Sequence, residues 1–123
     1  MAFYSENLPR LFFEKITAVF AVSDHYALEF MRFLQGQGIR VPEDVQIIGF
    51  DDTLASRESV PALTTIHQDA ALRARTAIRR LEALRDGTPC DADIVLPVEL
   101  VERESTRSAF KRKRNARSPW RFG

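Results

Sequence analysis

Two short apolar runs, each followed by a pair of polar residues, decide the fold of this chain. The first is Thr17-Ala18-Val19-Phe20-Ala21-Val22 with Ser23-Asp24 after it, and the second is Val45-Gln46-Ile47-Ile48-Gly49-Phe50 with Asp51-Asp52 after it. Continuous apolar runs are typical of strands that are buried on both faces, as in a parallel sheet. Residues 24–37 lie between them and carry an apolar stripe at helical spacing, made of Ala27, Phe30, Met31 and Leu34. We therefore predict a strand–helix–strand unit, the building block of an α/β domain.

The rest of the sequence extends this unit into a mostly parallel sheet with flanking helices. A third strand is predicted at residues 63–66, and a last strand region at residues 93–101, where Pro97 marks a bend or an edge position. A second helix is predicted at residues 68–85, and we expect its apolar side to pack on the sheet. Residues 53–62 are polar and are expected to be irregular.

The chain divides into three parts. Residues 1–16 are difficult to assign and indicate at most a short helix that starts near Pro9. Residues 17–106 form the α/β domain. Residues 107–123 contain seven basic and no acidic residues, and we expect them to be a disordered tail. The basic run Lys111-Arg112-Lys113-Arg114 could bind nucleic acid without sequence preference, but such runs are more often simply solvated.

Composition and charge exclude several classes of protein. The chain has 123 residues, of which 45% are hydrophobic, so it can form the core of one domain. It has no apolar stretch long enough to span a membrane and no signal-peptide pattern at its start. Its single cysteine, Cys90, cannot support an internal disulfide, and we expect a cytoplasmic protein. Residues 1–106 hold 11 basic and 17 acidic residues, and this net charge of −6 makes a poor surface for nucleic acid.

Polar residues follow each of the first three predicted strands. Ser23-Asp24, Asp51-Asp52 and His67-Gln68 stand at these positions. In open α/β sheets, ligands bind outside the carboxyl ends of the strands, so the three pairs could converge on one cleft. The alternative is that Ser23, Asp24 and Asp51 only cap helices and turns. Position in the sequence alone does not choose between these two interpretations.

Catalytic and metal chemistry is not supported by the spacing of the reactive residues. Ser23, Asp24 and His25 are adjacent, and the three side chains of a catalytic triad must converge from separate elements. His25 and Glu29 are four residues apart on the predicted helix, but no third ligand has matching spacing. The acidic pair at 51–52 also lacks the second acidic pair and the lysine of a phosphorylated receiver domain. We expect neither an enzyme nor a metal or cofactor site.

Several ordered blocks resemble the sensor region of the lactose-repressor (LacI/GalR) family of transcription regulators. The resemblance covers about residues 16–106. Its blocks are residues 17–24, Gly38-Ile39-Arg40-Val41-Pro42-Glu43-Asp44-Val45, residues 47–52, Pro61-Ala62-Leu63-Thr64-Thr65-Ile66-His67-Gln68 and residues 96–106. The resemblance implies part of a periplasmic-binding-protein-like (type I) lobe, a domain whose two halves close on a small effector such as a sugar. It matches only the later part of the C-terminal half, so we expect a truncated repressor that lacks the helix-turn-helix headpiece.

The resemblance also implies which residues contact the effector and a second subunit. By position, the effector-binding residues are Ser23, Asp24, Asp51 and Gln68, although family members often have Asn where this chain has Ser23. A homodimer is implied, with DNA bound only through the headpiece. Its interface residues are His25, Leu28, Arg32 and Val60, with Leu28 expected to be exposed. The alternative is a fragment of a solute-binding protein of a sugar transport system, which shares the fold.

Overall fold

The computed structural model describes residues 2–13 and 15–108. Helices and strands alternate along most of this part of the chain, which confirms the α/β class predicted from the two apolar runs. The elements are α1 (Ala2–Phe13), β1 (Ala18–Phe20), α2 (Asp24–Gly36), β2 (Gln46–Ile48), α3 (Leu54–Glu58), β3 (Thr65–Gln68), α4 (Ala70–Asp86) and β4 (Val98–Val101).

The strands form two pairs, β1 with β2 and β3 with β4. β1 and β2 are parallel. An isolated parallel bridge between Ile48 and Thr64 joins β2 to the residue just before β3. β3 and β4 are antiparallel, with Thr65 opposite Val101. The connections from β1 to β2 and from β2 to residue 64 are therefore parallel, as predicted, whereas the β3–β4 pair is antiparallel.

The hydrophobic core lies between α2 and β2. α2 contributes the largest group of buried residues, and Leu28 is one of them, at 6% exposure. The expectation that Leu28 is exposed was therefore wrong, because α2 buries a wider stripe than the four positions from which its face was predicted. The core consists of Ala27, Leu28, Phe30, Met31, Leu34, Val41, Val45, Ile47 and Leu63.

The N-terminal helix is longer than expected. α1 begins at Ala2, and Pro9 lies inside it rather than at its start. The ring of Tyr4 packs at a tilt against Phe30 and Phe33 of α2, with centroid distances of 5.3 and 5.5 Å. These aromatic contacts place the first turns of α1 against the core, which the sequence pattern around Pro9 did not indicate.

Two further helices differ from the sequence predictions. Residues 53–62, expected to be irregular, contain the short helix α3, whose first turn is capped by Thr53 through a hydrogen bond from Ser56 N to Thr53 Oγ1. α4 spans Ala70–Asp86 rather than the predicted residues 68–85, because Gln68 belongs to β3 and Asp69 caps the helix, and α4 buries no residue. Its apolar side chains Ile78 and Leu81 are 57% and 65% exposed. The expected packing of α4 on the sheet was wrong, because within residues 2–13 and 15–108 no element covers this side.

The C-terminal boundary of the domain extends slightly beyond the predicted one. Arg107 N donates to Gln46 Oε1 at 2.8 Å, and the Arg107 guanidinium donates to the carbonyl oxygen of Glu43. Arg107 is therefore attached to the body. Residues 109–123, which include the basic run 111–114, lie outside the described residues. None of the described helices is long and apolar enough to cross a membrane.

Candidate functional site

The ends of the first three strands meet at one edge of the sheet. Asp24 N donates to Phe50 O at 2.8 Å, which places the residues after β1 beside the residues after β2. Asp51 N donates to Ile66 O at 2.9 Å, which places the end of β2 beside β3. The structure thus brings together the three polar pairs that the sequence placed at strand ends.

Asp51, Gln68 and Arg73 form a chain of hydrogen bonds at this edge. Gln68 Nε2 donates to Asp51 Oδ1 at 2.9 Å, and Arg73 Nη1 donates to Gln68 Oε1 at 3.0 Å. Asp51 and Arg73 are exposed, and Gln68 is half-buried. Because the amide lies between a carboxylate and a guanidinium, only one of its two orientations satisfies both neighbours. We call these three residues the Asp51–Arg73 chain.

The backbone of the acidic pair turns its two side chains apart. Asp51 has φ 122° and Asp52 has φ 56°. Positive φ is uncommon outside glycine, although aspartate tolerates it better than most residues. Asp51 is exposed, whereas the Asp52 side chain is only 6% exposed. Strained backbone of this kind persists where surrounding contacts hold it, and it clusters at functional sites.

Asp52 is held by three basic side chains. Its carboxylate accepts hydrogen bonds from Arg103 Nη2 at 2.5 Å and from Arg57 Nη2 at 3.1 Å, and His67 Nδ1 lies 3.0 Å from its second oxygen. Burial raises the pKa of Asp52, but the hydrogen bonds from Arg103, Arg57 and His67 outweigh burial and lower the pKa to about 2. Asp52 is therefore ionised near neutral pH and anchors the turn that presents Asp51.

Asp24 does not reach the surface, which corrects its assignment as an effector contact. It is fully buried. Its Oδ2 accepts hydrogen bonds from Thr53 N at 2.8 Å and Thr53 Oγ1 at 3.0 Å, and its Oδ1 accepts one from Thr65 Oγ1 at 2.5 Å. Both oxygens are thus occupied inside the protein, because a buried carboxylate needs such partners. Asp24 joins the three segments around the site.

Gly49 makes room for the Asp24 carboxylate. A Cβ atom at position 49 would collide with Asp24 Oδ1 and would lie only 2.9 Å from Leu63 Cδ2. A glycine in the second apolar run therefore has a packing reason, which is the close approach of the buried carboxylate to β2.

Ser23 caps α2, which is the capping role that was one of the two interpretations of its position. Its Oγ accepts a hydrogen bond from Tyr26 N at a long 3.4 Å, and its side chain is half-buried. The cap does not use the hydroxyl proton, which leaves Ser23 able to donate to a second group at the same edge.

Three of the four expected interface residues are exposed. His25 and Arg32 are seven residues apart on α2 and share a face of the helix. Val60 is 84% exposed, and its carbonyl oxygen accepts a hydrogen bond of 3.0 Å from Gln35 Nε2, which ties the loop to α2. We call His25, Arg32 and Val60 the α2 surface. Leu28 is excluded from it by burial.

Four residues at the site were not selected from the sequence. Asp52 and His67 were noticed at strand ends but were not distinguished from their neighbours. Arg103 had no local signal, since its partner Asp52 is 51 positions away. Arg73 is only five positions from Gln68, but nothing in the local pattern of α4 singled it out. Within residues 2–13 and 15–108, no group of three His, Cys, Asp or Glu side chains could hold a metal ion.

A mostly parallel sheet with polar residues gathered outside its strand ends defines a lobe of the periplasmic-binding-protein type. Residues 2–106 match the model of the "Periplasmic binding protein-like domain", and the chain belongs to this family. Within the family, it is related to the sensor domains of lactose-repressor-type transcription regulators.

Individual relatives agree with this assignment. The lactose operon repressor of Escherichia coli K12 is 40% identical over 90 residues, which are 73% of this chain and 25% of the relative. A Lac repressor dimer bound to operator and the anti-inducer ONPF superimposes with a TM-score of 0.74 at 35% identity, covering 85% of this chain and 37% of that one. A complex of the transcriptional regulator CelR with cellobiose gives a TM-score of 0.72 at 34% identity, covering 82% and 31%.

The chain spans about a quarter of the length of the curated repressor described above. These relatives are regulators of transcription, so the alternative of a sugar-transport binding protein is not favoured.

Proposed function

We propose that this chain is the effector-sensing and dimerisation portion of a bacterial transcriptional repressor, and that its effector is a sugar or a similar small polar metabolite. The observation that carries the proposal is the exposed Asp51 carboxylate, oriented by Gln68 where three strand ends meet. The relatives that bind operator, anti-inducer or cellobiose support the class of function.

The chemistry of the site suits a ligand with several hydroxyl groups. Asp51 Oδ1 already accepts from Gln68, and the remaining lone pairs of the carboxylate can accept from neighbouring hydroxyls. Hydrogen bonds to a charged group contribute about 1.5–3 kcal/mol each. Ser23 can add a neutral partner from the end of β1. Asp24 supports the site from inside and does not touch the ligand.

The remaining roles follow from the family and from the surface of α2. The α2 surface contacts a second subunit in a homodimer, and DNA is bound through a helix-turn-helix headpiece. The protein acts in the cytoplasm, without catalysis and without a metal or cofactor. The residues at the site are suited to binding rather than to bond cleavage, because within the described part of the chain no serine, threonine or cysteine side chain is hydrogen-bonded to His67, whose partner is Asp52.

The proposal is tested by following backbone amide resonances of the chain during titration with neutral sugars, cellobiose among them. We expect the resonances of Ser23, Asp51 and Gln68 to shift in a saturable way, with weak affinity. Asp51→Asn should abolish the shifts. Asp91→Asn is the matched control, because Asp91 is an exposed aspartate away from the strand ends. Shifts that survive Asp51→Asn unchanged would remove Asp51 from the site.

A further inference from the structure

Arg73 lies at the donor end of the Asp51–Arg73 chain. One of its five N–H groups is used, in the 3.0 Å hydrogen bond to Gln68 Oε1. Among the residues that the structure describes, no carboxylate pairs with Arg73, whereas Arg40, Arg57, Arg85 and Arg103 each have one. Arg73 therefore has a guanidinium that no described carboxylate neutralises, with four unused N–H donors beside the residue that orients Asp51.

The two ends of the chain select different chemical groups. Asp51 offers only acceptors and prefers hydroxyl donors, while Arg73 offers only donors and prefers acceptors with negative charge. The side-chain amide of Gln68 lies between the Asp51 carboxylate and the Arg73 guanidinium and bonds to both. A ligand that satisfies both ends needs hydroxyl groups on one side and an anionic oxygen group on the other.

A cavity of about 190 Å³ adjoins Arg73. Gln68, Asp69, Leu72, Arg73, Leu96 and Val98 are among its lining residues, which combine a polar end with an apolar wall. The Asp69 carboxylate is the negative charge nearest in sequence, and its Oδ1 is occupied as the cap of α4 by Leu72 N at 2.9 Å. The cavity is smaller than a complete ligand site, as expected for one part of a larger site.

We propose that Arg73 makes the site selective for an anionic effector, a sugar that carries a carboxylate or a phosphate. Asp51 accepts hydrogen bonds from the hydroxyl groups of this ligand, and Arg73 donates to its anionic oxygens, where a guanidinium can bind in bidentate geometry. The inference rests on the function proposed above and narrows its ligand class.

The experiment compares ligands that share one sugar ring. D-glucose, D-glucuronate and D-glucose 6-phosphate are titrated into the chain, followed by ribose and ribose 5-phosphate, with inorganic phosphate as a separate probe. Affinities come from the amide shifts of Asp51, Gln68 and Arg73. The variants are Arg73→Gln, Arg73→Lys and, as a matched control with the same change of charge, Arg75→Gln. Arg75 is exposed on α4 and has no partner among the described residues.

We expect the anionic sugars to bind at least about tenfold more tightly than their neutral counterparts, the gain of one charged hydrogen bond. Arg73→Gln should bring the ratio of anionic to neutral sugar affinity close to one. Arg73→Lys should keep part of the preference for anionic sugars, and Arg75→Gln should leave the ratio unchanged. Three results would overturn the inference. The first is an affinity ratio near one for the wild-type chain, and the second is an equal loss of the ratio in Arg75→Gln. The third is inorganic phosphate that binds as tightly as the sugar phosphates.

The design separates this inference from the proposed function. If neutral sugars bind and lose affinity in Asp51→Asn, but the anionic ratio does not depend on Arg73, only the inference fails. If Asp51→Asn leaves the affinity for every sugar unchanged, the proposed function fails first. If no sugar shifts these resonances, both are overturned for this chain.

Discussion

Thr65 Oγ1 donates a hydrogen bond of 2.5 Å to Asp24 Oδ1, although 41 positions separate the two residues. This bond connects the first residue of α2 to the first residue of β3. The second oxygen of Asp24 takes both donors of Thr53, at the start of α3. One buried carboxylate thus fixes the three segments next to Ser23, Asp51 and Gln68, which explains how short strands can hold a defined site.

Replacing Asp24 with Asn should destabilise the protein. The amide nitrogen would face either the Thr53 donors or the Thr65 hydroxyl, and at least one buried donor would lose its acceptor. An unsatisfied buried polar group costs about 1–3 kcal/mol, and we expect a loss in that range or above it. Urea unfolding followed by circular dichroism measures the loss. Asp91→Asn, at an exposed position, should leave the midpoint unchanged, and equal midpoints for both variants would contradict the role given to Asp24.

Acid should weaken the fold through Asp52. Its pKa is lowered to about 2 in the folded protein from an ordinary value near 4. A group with a lowered pKa contributes stability above the unfolded value, and this contribution is lost as the pH falls through the folded one. Between pH 5 and pH 2, wild type should therefore lose more stability than Asp52→Asn.

The acid experiment has an internal comparison at Asp44. The hydrogen bonds from Arg40 lower the pKa of this exposed carboxyl to about 2 as well. Salt screens an exposed pair more than a buried one. Added salt should reduce the change in acid stability caused by Asp44→Asn. It should leave the change caused by Asp52→Asn largely intact. If both variants respond to salt in the same way, the Asp52 carboxylate is not shielded from solvent as the structure indicates.

The Ser105 hydroxyl is expected to contribute substantially to the free energy of unfolding. It is fully buried between β2 and the approach to β3. Its Oγ accepts from Thr64 N at 2.8 Å and donates to Ile47 O at 2.6 Å. Ser105→Ala leaves both backbone groups without this partner and should cost about 1–3 kcal/mol in urea unfolding. Ser108→Ala is the matched control, and a midpoint shift no larger than its own would contradict the prediction.

The α2 surface predicts how the chain associates. Val60→Asp and Arg32→Glu should shift sedimentation velocity profiles towards monomer without lowering the melting temperature, because both side chains are exposed. Leu28→Glu places a charge in the core and should instead unfold the protein. A wild-type chain that stays monomeric at every concentration tested would refute the interface.

The local pattern predicted most of the helices and strands and the gathering of polar residues at strand ends. It was wrong about the burial of the first apolar run, because Phe20 and Val22 are 62% and 77% exposed and no residue of β1 is buried. It did not predict which of two adjacent aspartates faces outwards, because that depends on positive φ at 51 and 52 and on Arg103, 51 residues away from Asp52. It misplaced Leu28, since an apolar stripe in a sequence does not give the width of the buried face. It also predicted that the apolar side of α4 packs on the sheet, whereas no residue of α4 is buried by the described part of the chain.

The basic tail, residues 107–123, predicts how the chain binds DNA. Residues 1–106 carry a net charge of −6 and repel phosphate, whereas residues 107–123 offer seven basic side chains. Phosphate contacts position a protein on DNA without reading its sequence. Binding should therefore be equal for a palindromic operator and for random duplex, with a log–log salt slope no steeper than about −6. Fluorescence anisotropy with both duplexes measures these quantities, and deletion of residues 109–123, which removes six of the seven charges, should abolish binding. A preference for one duplex that persists after the deletion would mean that the body itself reads DNA.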